Sequence, residues 1–159
     1  MVEKMDKSFF DLEMYATYGA ITELYGEKGW DVVWRAGELA WEEVKGQVNI
    51  TKKEPIEVMK KVSEWLEKIG YAKKLNIVQI GENELLYEMW APIGRQSVTM
   101  LRKKYGDDRP VKPHYSTTLL FAALKDVCHV KAEIRSVQHV KPGMDPSREK
   151  WIFKQQDSK

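Results

Sequence analysis

An α+β domain is predicted, with helices leading and a mainly antiparallel four-stranded sheet following, in the order αααββαββ. Two observations predict it. Up to Gly70 the large apolar residues recur at helical spacing, and beyond it they alternate, first over 75–90 and again over 130–154. Each alternating stretch also contains a turn signal, Gly81-Glu82-Asn83 in one and Lys141-Pro142-Gly143-Met144-Asp145-Pro146 in the other. Two hairpins with a helical stretch between them, and helices before them, make a sheet with helices on one face.

The first helix starts near Ser8, with Asp11 three residues on, and carries Phe10, Met14, Tyr18, Ile21 and Tyr25. The second places Trp30, Val33, Trp34, Gly37, Trp41 and Val44 on one side. Thr51 or Glu54 caps the third, with Pro55 suited to its first turn if Glu54 is the cap. Its apolar face is Val58, Val62, Trp65, Leu66 and Ile69, and Gly70 sits where a terminating glycine belongs. Strands follow at 75–80 and 84–90. The segment from Ala91 to Tyr115 is interrupted by Pro92, Pro110 and Pro113, with Gln96 to Tyr105 open to a short helix. Ser116 is expected to cap the connecting helix, whose body from Leu119 to Val127 is apolar nearly all round. Val130, Ala132 and Ile134 then alternate with charged residues, a shift after Ser136 predicts a bulge, and a last strand runs from Trp151 to Lys154. One domain over 1–159, with a core of about 8–154, is expected.

Of the 159 residues, 26 are basic and 24 acidic, a formal net charge of +2. That balance gives no general argument for nucleic acid or a lipid surface. The single cysteine, Cys128, makes no internal disulfide and suits a reducing, cytoplasmic setting. No apolar run approaches the ~20 residues of a membrane span. Glycine-rich phosphate loops, nucleophile elbows and zinc-protease motifs are missing. Cys128, His129, His114 and His139 lack metal-site spacing, so neither metal nor cofactor is expected.

Gly37 is the most informative residue. Glycine inside a helix costs ~1 kcal/mol against alanine, which something must offset. Either another backbone crosses there, or the missing side chain leaves room for a ligand among aromatics. On the second reading Tyr18, Trp34, Trp41 and Trp90 line an apolar pocket, Arg35 anchors a ligand carboxylate at its mouth, and His114 ends a basic stretch that forms an anion site or a lid. On the first reading the aromatics are core, Arg35 pairs with Glu38 or Glu42, and the basic stretch is a solvated face. The first helix has more apolar residues than one face holds. Phe9, Leu12, Tyr15 and Leu24 are left for solvent, which predicts a homodimer.

Several short runs resemble the 4-vinyl reductase or hydrocarbon-binding domain family, which shares a fold group with transport-particle subunits and haem nitric oxide sensors. They are Val33-Trp34-Arg35-Ala36-Gly37, Trp65-Leu66-Glu67-Lys68-Ile69-Gly70-Tyr71, Glu84-Leu85-Leu86-Tyr87-Glu88 and Thr117-Thr118-Leu119-Leu120-Phe121-Ala122-Ala123-Leu124, with Val130 to Val140 matching the last hairpin. The resemblance implies non-catalytic binding of a small apolar or amphipathic molecule between helices and sheet, as a sensor or carrier. Many members carry cysteines where this chain has His114, Tyr115 and Ser116 and, in the last hairpin, Val137, Gln138 and His139. Without that set no cysteine-dependent metal role is implied. The competing class is a structural or interaction module with a packed core, and a lesser one is a hydrolase or reductase-associated enzyme.

Overall fold

The computed structural model describes residues 7–106, 115–138 and 145–155. The elements are α1 (Lys7–Tyr25), α2 (Gly29–Val44), α3 (Pro55–Lys68), β1 (Lys74–Gln79), β2 (Glu84–Trp90), α4 (Arg95–Tyr105), α5 (Tyr115–Ala123), β3 (Val130–Gln138) and β4 (Ser147–Gln155). A π-helical turn, Leu124–Cys128, prolongs α5. The four strands form one antiparallel sheet in the order β1-β2-β4-β3. The predicted class is therefore observed, with one helix more than the expected order: α4 forms inside the proline-interrupted segment.

The sheet's inner face is built by alternation. Leu85, Tyr87 and Met89 on β2 are fully buried, and Trp151 on β4 sits opposite Leu85. On β3, Val130, Ala132 and Ile134 turn the same way until Arg135 is left without a ladder partner. The bulge thus falls just before Ser136 and not after it. Val58, Met59, Val62 and Leu66 of α3 join Leu119, Leu120, Ala123 and Leu124 of the α5 segment in the core over this face. That many fully buried aliphatic side chains, at ~1.5–3 kcal/mol each, supply most of the drive to fold.

The end of α3 is set by local chemistry. Glu54 is its N-cap residue in extended conformation and Pro55 opens the helix, which decides between the two candidate starts. At the other end Gly70 adopts φ +82°. Its N–H bonds the Glu67 carbonyl at 2.9 Å and that of Tyr71 bonds the Leu66 carbonyl at 2.9 Å. This paired closure needs a left-handed residue, and it delivers Tyr71 into the core beside Leu66.

The expectation that all three leading helices pack on the sheet needs correction. α1 packs chiefly against α4 and also touches α2. Met14, Tyr18, Val33 and Leu101 make a small second core there. Gly94 at the start of α4 has φ +87°, and a Cβ on it would lie 2.5 Å from Met14 Sδ. Asp11 accepts the Ser97 N–H, so the first turn of α4 is held against α1. Ser116 is not the cap of α5 but lies within it, donating its N–H to the Tyr71 hydroxyl at 3.3 Å.

Candidate functional site

The residues expected around one pocket are dispersed. Tyr18 belongs to the second core. Trp34 is half-buried and stacked between Trp30 and Phe121, at 5.3 and 4.8 Å between ring centres. Trp41 lies in the main core. Trp90 alternates with the buried Met89, lies on the sheet's other face, and has Lys74 Nζ 5.2 Å from its ring centre. Arg35 is exposed and pairs with Glu38 at 3.1 Å and Glu42 at 3.6 Å, the surface alternative. Gly37 meets α5: a Cβ on it would lie 2.6 Å from the Thr118 carbonyl oxygen. The glycine therefore serves close helix crossing. His114 falls outside the described residues, as does His139.

A ligand-sized space lies elsewhere, where the end of α2 meets the π-helical turn. The cleft is open to solvent, has a volume of about 370 Å³, and is lined by Trp41, Lys45, Gly46, Val48, Ile50, Thr51, Lys53, Asp126 and Val127. Small-molecule sites run from about 300 to 1,000 Å³, so this open cleft lies at the low end of that range. Trp41 donates its indole N–H to Asp126 Oδ2 at 2.8 Å, and Lys45 Nζ stands 3.8 Å from the same oxygen. The π-helical turn is what presents Asp126 and Val127: one residue is inserted into the helical repeat, a distortion common at functional sites. Valine and isoleucine form an apolar wall, and Lys45, Lys53 and Thr51 bring charge and a hydroxyl to it.

A second arrangement, buried, lies on the inner sheet face at the start of α5. Glu149 is 3% exposed and pairs across the strands with Tyr87, which is fully buried. Its Oε2 accepts the Trp151 indole N–H at 2.9 Å, and Thr117 Oγ1 lies 3.2 Å from both carboxylate oxygens. Burial pushes the carboxyl up to about 7, against the lowering effect of those two hydrogen bonds. Burial likewise raises the Tyr87 phenol well above its ordinary value. The Tyr87 and Ser63 hydroxyls are buried and make no hydrogen bond of good geometry among the described residues, although the Ser116 and Ser63 hydroxyls lie close enough to Tyr87 to offset part of that rise. Tyr87 and Phe121 both meet Trp151 edge-on, at 5.6 and 4.6 Å.

Cys128 ends the π-helical turn and His129 follows in left-handed conformation. Burial pushes the Cys128 thiol up to about 11, the opposite of what a reactive thiolate needs. Among the described residues no group of three or more His, Cys, Asp or Glu could hold a metal, and no helix is long and apolar enough to cross a membrane.

No family model matches the chain, and no curated protein matches it.

Proposed function

We propose that this protein binds a small amphipathic molecule without transforming it, in the cleft between the end of α2 and the π-helical turn. The observation that carries the reading is the coincidence of a ligand-sized cleft, an apolar wall of Val48, Ile50 and Val127, and the two lysines Lys45 and Lys53 at its edge. With Asp126 engaged by Trp41 and Lys45, Lys53 leaves the lining with a net charge of +1, so the cleft favours a ligand with an apolar body and an anionic end. The resemblance to hydrocarbon-binding domains supports the same class of ligand, and the single cysteine supports a reducing, cytoplasmic setting. Native mass spectrometry of undenatured protein tests the reading. A co-purifying mass that is lost in Lys45→Glu/Lys53→Glu supports it. A co-purifying mass that both proteins retain equally places the ligand elsewhere.

A second reading, an interaction role for α1, is favoured by one observation. Phe9, Leu12 and Leu24 are 54%, 52% and 76% exposed, and the exposed Ala16 and Ala20 continue their stripe. α4 covers the other side of α1 and leaves this stripe bare. Tyr15 leaves the set, being half-buried with Lys104 over its ring. We propose a two-fold dimer through this stripe.

A further inference from the structure

Glu149 is a carboxyl group with the surroundings of a neutral one. Its neighbours are Tyr87 from β2, Thr117 from α5 and Trp151 from its own strand, with Val137 opposite in the β3 register. Tyr71, which precedes β1, reaches the same cluster through the Ser116 N–H. Tyr87 and Tyr71 are the titratable groups among these, and both are phenols. Among the described residues no Lys, Arg or His bonds to the carboxyl or pairs with it. An ionised carboxylate has room for about four hydrogen bonds, and two neutral donors leave it short in a site without water's dielectric. The protonated acid fits better. Trp151 fixes Oε2 as an acceptor, and Oε1 is left to donate to the Thr117 hydroxyl at 3.2 Å.

We propose that Glu149 is a proton-binding site that clamps α5 to the sheet, so that losing its proton loosens the start of α5 and makes the fold respond to pH. The clamp matters because Thr117 precedes Thr118, the residue on which Gly37 of α2 rests. One carboxyl thereby ties β4, α5 and, through the next residue, α2. The raised value of about 7 agrees with this geometry. The inference stands independently of the ligand reading, since it concerns the inner sheet face and is tested without ligand.

The sign follows from linkage. The native state holds this proton up to about 7, the unfolded chain only to the ordinary 4.5. The group's stabilisation is therefore full below 4.5 and is lost as pH rises through 7. Infrared difference spectroscopy of the wild-type protein should show a protonated carboxyl stretch at pH 6 that disappears with a midpoint within a unit of 7. Glu149→Gln should lack that band. Its Tm should fall less than the wild-type Tm between pH 5.5 and 8.5, by several degrees. Should Glu149→Gln fail to fold, the infrared titration of the wild-type protein decides alone, by whether the protonated band is present at pH 5.5 and lost near 7. A carboxyl already ionised at pH 5.5, or equal Tm profiles for wild type and variant, would overturn the proposal.

Discussion

The Cβ that Gly37 lacks would stand 2.6 Å from the carbonyl oxygen of Thr118 and 2.7 Å from its Cβ. α2 and α5 thus cross at contact distance, and the obstacle is backbone, which cannot swing aside. Gly37→Ala gains up to ~1 kcal/mol of helix propensity and loses the crossing. The clash is expected to win, lowering stability by about 1–3 kcal/mol. Urea unfolding of the two proteins measures it, and an alanine variant as stable as wild type would mean that the helices separate at little cost.

The Trp41 indole N–H has Asp126 as its acceptor. Asp126→Ala should lower stability by about 1 kcal/mol, at the low end for a lost buried bond because Asp126 itself is half exposed. Asp126→Asn, which keeps an acceptor, should recover most of it. Thermal unfolding of the pair checks this, with the Trp41 indole resonance moving in Asp126→Ala and less in Asp126→Asn.

The acid limb of stability should come from carboxylates held ionised on the sheet's outer face. The Asn76 amide, and then Arg148, hold Glu88 below its ordinary value of 4.5. Such a group stabilises the fold above 4.5, and that contribution is lost as pH falls through its lowered value. Glu88→Gln should therefore lower the Tm in the neutral range, where the ionised group stabilises the fold, and flatten the decline below pH 4.5. Glu149 acts in the opposite direction, so stability should peak in mildly acidic solution. A Tm profile from pH 3 to 9 shows both limbs.

Leu12, on the uncovered side of α1, tests the dimer. Sedimentation equilibrium at micromolar concentration should give twice the chain mass of 18.6 kDa. Leu12→Glu should give the monomer with little loss of fold, since Leu12 is half exposed in the single chain. A wild-type monomer would end the dimer reading.

Much of the fold was legible because its signals are local. β2 was bounded correctly at Glu84 and Trp90, where large apolar and polar residues alternate without a break. The Gly70 stop was readable because only a left-handed residue closes a helix in that way. The sequence leaves α4 open because Arg95 to Tyr105 is polar and flanked by prolines, and its reason for being helical is tertiary: Leu101 completes a core begun by Met14 and Tyr18. The presumed site failed on geometry. Helical spacing put Trp34 and Trp41 on one face, yet Trp34 stacks on Phe121 while Trp41 turns to Asp126. Glu149 lies in the charged run Ser147-Arg148-Glu149-Lys150, between the expected turn and the strand expected from Trp151. Its alternation with Trp151 was the signal available, and starting the strand at Ser147 would have exposed it. The cleft had no signal, because the insertion that forms the π-helical turn leaves no mark in the residue pattern.

The cleft is tested most directly by following the amide and indole resonances of the ¹⁵N-labelled protein during titration with a medium-chain carboxylate, with the matching primary amine as control. The account predicts saturable shifts confined to the Trp41 indole, Val48, Ile50, Thr51 and Val127, stronger for the carboxylate than for the amine and reduced in Lys45→Glu/Lys53→Glu. Saturable shifts centred on other residues, or none at the cleft with either compound, would contradict it.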